Sequence, residues 1–496
     1  MTSTILGLDR FQTLTTLCDE ILTDPDAPEA LLDAPALHVV SSHPALIRTQ
    51  LHDPDGVAAR TRNMARHIRN VTKPGGRIGL ETGRRYDVLL VGGLVSPAHL
   101  DKESDFYFGG LQAHFATAGL SSLLLLRNQT GVPTRALAGR AQREGAQGRR
   151  LLPDTLSARD EMSFIRKARA ARGASRARLD RVVDRVLRRN LADDISSPST
   201  TGNLRLEALV RRVCAAVEPI AVVTMFEGHA WERCVFRAAS DYDPEIVRVG
   251  YQHTIIRKHA HGIRRSLGHG MDPDVVLCMG STTCTDLAEN SSFEDTRFCV
   301  FGTHRMQRDP GATVRAPGHA CLVLPEGLQD EAATLFRMAI EAARLSPETR
   351  FIFRCHPVLP YDRLIGLPAE DQLPLGVELS RLPSIEDDFD RSSSILYRGS
   401  SSVVYGILSG LRPFYLEMPD ELTLDPLHAL ATWRERVFDA QSFLDALAAD
   451  RREPEADRAQ GWDVARGFCA NMSVAERAEG LSDLIERVRR VRHVRN

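Results

Sequence analysis

A chain of 496 residues, 43% hydrophobic and 26% charged, is too long for one ordinary hydrophobic core and too apolar for a disordered or fibrous class. Two domains are the simplest division, and a cleft between them is then available. The net charge of −2 excludes a molecule-wide nucleic-acid binder, so no nucleic-acid partner is expected.

The first twelve residues carry polar and acidic positions where a secretory signal needs an apolar core, and no later stretch reaches the ~20 apolar residues of a membrane span. The expected compartment is the cytoplasm. Nine cysteines are dispersed without a CxxC pair, a poor disulfide framework or zinc site, and Cys278 and Cys284 read as buried free thiols.

Residues 1–80 read as helices and turns, with a short apolar piece at 37–40. At 87–91 an apolar run ends in Gly92-Gly93; an amphipathic stretch (108–117) and a second run (122–126) follow, a strand, helix, strand unit. Between Arg135 and Arg189 there are sixteen Arg or Lys against six Asp or Glu, predicted as two helices broken near Gly173 and ended by a polar loop at 196–202. Alternation resumes with a helix to 217, runs at 220–225, 246–251, 275–279 and 298–301, and a helix at 230–240. Residues 307–318, with two Pro-Gly pairs, read as a linker.

Beyond it, strands are predicted at 320–324, 350–355, 377–379, 394–397 and 413–416, with helices at 330–345 and 401–409. Short apolar runs alternating with helices imply two doubly wound parallel sheets facing each other. The division is 1–309, carrying the arginine-rich insertion at about 135–190, and 310–496, ending in a basic helix. The insertion and the tail Glu486 to Arg495 can lie on anionic lipid or form a solvated arginine face.

Ligands of such sheets bind beyond the C-terminal ends of strands. In Ile395-Leu-Tyr-Arg-Gly-Ser-Ser-Ser, Gly399 and the hydroxyls of Ser400, Ser401 and Ser402 stand between a strand and a helix start, an arrangement for phosphate; plain N-capping needs only one serine. His356, held at a strand end by Pro357, can donate to a leaving phosphate or serve as general acid. Arg354 joins it if alternation turns it to the same face. Glu326 either lines the cleft or starts a helix.

In the first half, Glu227 follows an apolar run and can take a proton from an acceptor hydroxyl, or simply complement a helix dipole. His253 is the competing base. Gly92, Gly93 and Gln252 are placed on the acceptor side. Asp388-Phe-Asp390 is formally a DxD, but it sits in an acidic stretch that reads as a solvated helix, and no metal is assigned to it.

An acidic residue before glycine (Glu227-Gly228), an HP pair (His356-Pro357) and a later serine pair (Ser400-Ser401) together resemble bacterial GT-B glycosyltransferases that use CMP-activated acidic sugars, such as sialyltransferases and Kdo transferases. The resemblance spans roughly residues 85–430. It implies a GT-B fold of two Rossmann-type domains about a central cleft, with Glu227 as base, His356 as the donor-side histidine and Ser400 and Ser401 as phosphate ligands. It also implies metal-independent transfer, without cofactor, from a nucleotide-sugar donor to a glycan or lipid-linked glycan, at the inner face of the membrane. In those families two acidic residues precede the glycine, whereas Phe226 fills the first place here.

Glu-Gly-x-x-Trp-Glu, Gly-Tyr-Gln-His and Pro-Glu-Gly, in that order, are also similar to uncharacterised surface-carbohydrate biosynthesis proteins. The second half resembles CDP-glycerol glycerophosphotransferases, a reading in which His253 becomes the base. A UDP-sugar donor and a non-catalytic nucleotide- or glycan-binding protein stand as further alternatives.

Overall fold

The computed structural model describes residues 8–39, 56–81, 83–182, 185–305 and 313–495. Its first sheet contains β1 (Val88–Leu94), β2 (Ser122–Asn128), β3 (Gln147–Leu151), β4 (Ala221–Met225), β5 (Val247–Gln252), β6 (Val275–Cys278) and β7 (Arg297–Val300), in the order β3-β2-β1-β4-β5-β6-β7. The second contains β8 (Ala320–Leu324), β9 (Phe351–Phe353), β10 (Val377–Leu379), β11 (Ser392–Tyr397), β12 (Arg412–Leu416) and β13 (Glu435–Val437), in the order β10-β9-β8-β11-β12-β13. All neighbouring strands are parallel.

These are the two doubly wound α/β domains predicted from the alternation. Each sheet reverses its strand order once, at β1/β4 and at β8/β11, and crevices open beyond the strand ends at such points. The first sheet is covered on both faces. Leu89, Val91, Leu123, Leu125 and Val222 pack on one side, Val88, Leu90, Leu124, Leu126 and Val223 on the other, following the period of two.

Three expectations need correction. The insertion holds a strand, β3, that no apolar run announces: Arg149 donates to the carbonyls of Ala141, Leu100 and Arg140, and Arg150 to those of Gly79 and Arg143, so both are buried. The helix break expected near Gly173 is there, at Ser175, between the helices Ala158–Ala174 and Arg176–Leu179. The expected polar loop at 196–202 is the start of the helix Pro198–Val217, with Ser197 accepting from the N–H groups of Ser199 and Thr200 and Pro at the first turn.

The third concerns the C-terminus. Leu481, Leu484 and Val488 pack into the core of the first sheet, and Arg489 and Arg492 donate to the carbonyls of Ala118 and Gly119 at 2.6 and 2.9 Å. The basic tail therefore belongs by contact to the first domain rather than the second. Much of the insertion's charge is likewise spent internally, as in Arg178–Asp24, Arg172–Asp193 and Arg205–Glu161. No helix among the described residues is long and apolar enough to cross a membrane. Of the expected linker, residues 307–312 lie outside the described residues, as does Val40 of the early apolar piece.

Candidate active site

A cleft of about 460 Å³ joins the two domains, lined by Glu227, Thr254, Ile255 and Arg257 from the first and by Glu326, His356, Gly399, Ser400, Ser401 and Ser402 from the second. Glu227 follows β4, at the first switch point. Glu326 follows β8 and the serines follow β11, the strands of the second. Residues far apart in sequence meet there because both switch points face one crevice.

The serine loop leaves its donors uncommitted to the fold. Ser401 stands at the N-cap of the helix Ser402–Leu408, yet its side chain makes no capping bond. The helix's own bonds begin with Val403 N–H to Ser400 O and Val404 N–H to Ser401 O, at 3.3 and 3.2 Å, which leaves the N–H groups of Ser401 and Ser402 ahead of that ladder. Gly399 lies so close to the Glu326 carboxylate that a Cβ there would collide with it.

His356 is turned to the cleft and exposed. The Val358 N–H donates to its Nδ1 at 3.4 Å, so the neutral ring carries its proton on Nε2, free to donate. Partial burial lowers its pKa, against a smaller opposing pull from the nearby Glu326 charge. Glu326 itself pairs with Arg257, which also donates to Gly399 O at 3.3 Å. That ion pair bridges the domains across the cleft.

On the other wall, Glu227 is held by a loop of unusual construction. Gly228 takes φ +88°, and a Cβ on it would strike the backbone of Gly262. The turn aims the N–H groups of Glu227, Gly228 and His229 at one oxygen of Glu232, at 2.8, 2.8 and 2.9 Å. Glu232 is thus the internal anion that fixes the loop, and burial pushes it up to about 7 against the pull of His229 and those N–H groups.

The Glu227 carboxylate accepts from Thr254 Oγ1 at 2.5 Å and lies 3.2 Å from His229 Nε2. Burial would raise its pKa, but the His229 hydrogen bond, the charges of His253 and His229 and the Thr254 hydroxyl hold it well below the usual carboxylate range. His229 is correspondingly raised: burial works against the charge, and Glu227 and Glu232 outweigh it.

The other expected site residues sit elsewhere. His253 is buried edge-on to Tyr107, ring centroids 5.1 Å apart, with its Nδ1 unpartnered and its pKa lowered by burial. Gln252 is buried and structural, binding Thr254 O and accepting from the Met279 N–H. Gly92 and Gly93 lie within β1 rather than beyond it, and a Cβ on Gly92 would meet the Phe108 ring. Arg354 points away from the cleft to Asp388, at 2.5 Å, and to the carbonyl of Ser384. Asp388 is fully buried, which overturns the solvated reading of the acidic helix, and both carboxylates of the DxD are committed to ion pairs, Asp388 with Arg354 and Asp390 with Arg315.

No protein-family model matches the chain, and no curated protein matches it. Among solved structures it is similar to the glycotransferase of kitacinnamycin (13% identity, 82% of this chain and 99% of that one, TM-score 0.48). It is similar at the same TM-score to UDP-N-acetylglucosamine 2-epimerase from Rickettsia bellii (12% identity, 82% and 98%). A third is α,α-trehalose 6-phosphate synthase from Burkholderia multivorans (13% identity, 83% and 98%, TM-score 0.46). Likeness at this level says nothing of chemistry, which has to be read from the cleft.

Three polar residues at or beside the cleft have no role assigned from the sequence: Thr254 and Arg257, which line it, and His229, which pairs with Glu227. His229 and Thr254 had a signal, standing within two residues of Glu227 and Gln252 beyond apolar runs. Arg257 had none, since only the approach of the second domain gives it a partner.

Proposed function

We propose that the protein transfers a sugar from a nucleotide-linked donor to a hydroxyl of a glycan or lipid-linked glycan acceptor. The observation that carries this reading is the meeting, in one crevice, of an ionised carboxylate from the first domain with a histidine N–H and an uncommitted serine loop from the second. One wall suits a proton acceptor and the other a departing phosphate.

In this mechanism the acceptor oxygen attacks the anomeric carbon and its proton passes to Glu227. The bond from that carbon to the phosphate oxygen breaks, and the electron pair leaves on the phosphate. His356 Nε2–H and the N–H groups of Ser401 and Ser402 receive that charge, and Arg257 is positioned to join them once released from Glu326. Closure of the two domains excludes water, which would otherwise hydrolyse the donor.

The CMP-linked acidic sugar expected from the motifs gains no support from the comparisons, in which the nucleotide sugar named is UDP-linked. UDP- and CMP-linked donors are therefore tested side by side. Transfer is measured with radiolabelled UDP- and CMP-sugars on wild type and Glu227→Gln. Loss of transfer with donor binding retained supports the reading; a fully active variant removes Glu227 as base.

A further inference from the structure

A second cavity of about 490 Å³ opens on the first domain, lined by Arg69, Lys73, Arg127, Asn128, Asp154 and Arg205 among others. Its charges are unevenly satisfied. Arg205 is neutralised by a bidentate pair with Glu161 at 2.6 and 2.5 Å, and Asp154 accepts from the Thr134 hydroxyl. Arg69, Lys73 and Arg127 have no acidic partner among the described residues. Arg127 is the most telling of the three: its Nη1 is buried without any hydrogen-bond partner, and its guanidinium lies over the Trp231 ring at 4.8 Å.

A guanidinium nitrogen buried without an acceptor is costly, and Arg127 also lines the cavity, where a ligand can supply an acceptor to its guanidinium. Three cations against Asp154 leave two uncompensated positive charges, which a dianion balances. Arginine fits the oxygens of phosphate in particular.

The cavity also stands in a suggestive place. Arg127 is at the C-terminal end of β2, and Glu227 follows β4, with only β1 between those strands. Two strand spacings are roughly 10 Å. Trp231, beneath Arg127, opens the helix whose N-cap is His229, the partner of Glu227.

We propose that this cavity binds a phosphate or pyrophosphate group, and that the group belongs to the acceptor, whose hydroxyl it sets against Glu227. The second half of that statement rests on the glycosyl-transfer reading; the anion site does not. The acceptor is then a phosphorylated saccharide or a saccharide on a lipid phosphate.

The test uses the full chain with inorganic pyrophosphate as probe, by calorimetry and thermal melting, on wild type, Arg127→Gln, Lys73→Gln and Ser400→Ala. Pyrophosphate is expected to bind and raise the melting temperature of wild type, and Arg127→Gln and Lys73→Gln to weaken that binding about tenfold or more. Their nucleotide binding stays as in wild type, and Ser400→Ala keeps the pyrophosphate site. Without ligand, Arg127→Gln should melt no lower than wild type, because the charge it removes is unpaired. If Arg127→Gln does melt lower, Lys73→Gln carries the comparison.

Pyrophosphate binding that both substitutions leave unchanged, or its absence from wild type, overturns the site. Loss in both variants, in a protein that binds no nucleotide, keeps the anion site and refutes glycosyl transfer. Vesicles of phosphatidylcholine with phosphatidic acid separate the sources. Sedimentation with them that Arg127→Gln abolishes identifies a lipid-borne phosphate, and pyrophosphate binding without sedimentation identifies a water-soluble one.

Discussion

Glu227 is a carboxylate whose neighbours suppress its basicity: the His229 hydrogen bond and the His253 and His229 charges all favour the ionised form. It is ready to orient a hydroxyl but is a weak proton acceptor while His229 is charged. The His229 pKa lies above its ordinary 6.5. As pH rises through that raised value, His229 loses its proton, its charge stops depressing Glu227, and the carboxylate becomes a better base. Transfer should therefore show a rising limb with a midpoint above 6.5, and His229→Gln should flatten it. A pH-rate profile unchanged by that substitution contradicts the pairing. Glu227→Gln should cost about 10²–10⁴ in kcat with donor binding retained. Glu227, His356 and the serines were legible because each directly follows an apolar run. Arg354 was ambiguous because alternation offers two faces, and Asp388, 34 residues on, decided between them.

At the scale of elements, the loop between β4 and the Ala230–Tyr242 helix depends on Gly228. Gly228→Ala adds positive-φ strain and a collision with Gly262, and should destabilise the protein by on the order of 3 kcal/mol, read from denaturant unfolding. The helices Ala158–Ala174 and Pro198–Val217 are tied by the buried Glu161–Arg205 pair, and Glu161 also accepts from the Leu156 N–H at 2.9 Å. Glu161→Gln strands a buried guanidinium and should cost about 3–5 kcal/mol in the same measurement; a loss below ~1 kcal/mol would place the pair in solvent. Both central strand sets were readable from their apolar runs. The edge strand β3 was not, since its two arginines are buried by donating to backbone carbonyls, a pattern that hydropathy alone assigns to the surface. Ser197 shows a related trap: a run rich in serine and threonine looks like a loop, and here its first members cap and begin a helix.

Across the whole molecule, the alternation of runs and helices foretold two doubly wound sheets, but nothing local announced that the tail returns to the first domain. Its buried residues, Leu481, Leu484 and Val488, suit any core, and only the folded chain shows that they join that of the first sheet. The same holds for the bridge from Arg257 to Glu326, which spans the domains. If donor phosphate competes with Glu326 for Arg257, Glu326→Gln should tighten nucleotide binding several-fold, with a steeper salt dependence. Weaker binding would make Glu326 itself a ligand of the nucleotide. The most direct test of the cleft is calorimetric titration of UDP, UMP, CDP and CMP into wild type and the His356→Ala/Ser401→Ala double variant. One of these nucleotides is expected to bind wild type with one-to-one stoichiometry and to lose about tenfold or more in affinity in the double variant. Absence of binding for all four, or affinity that the double variant leaves intact, would contradict the assignment of this cleft as a nucleotide-sugar site.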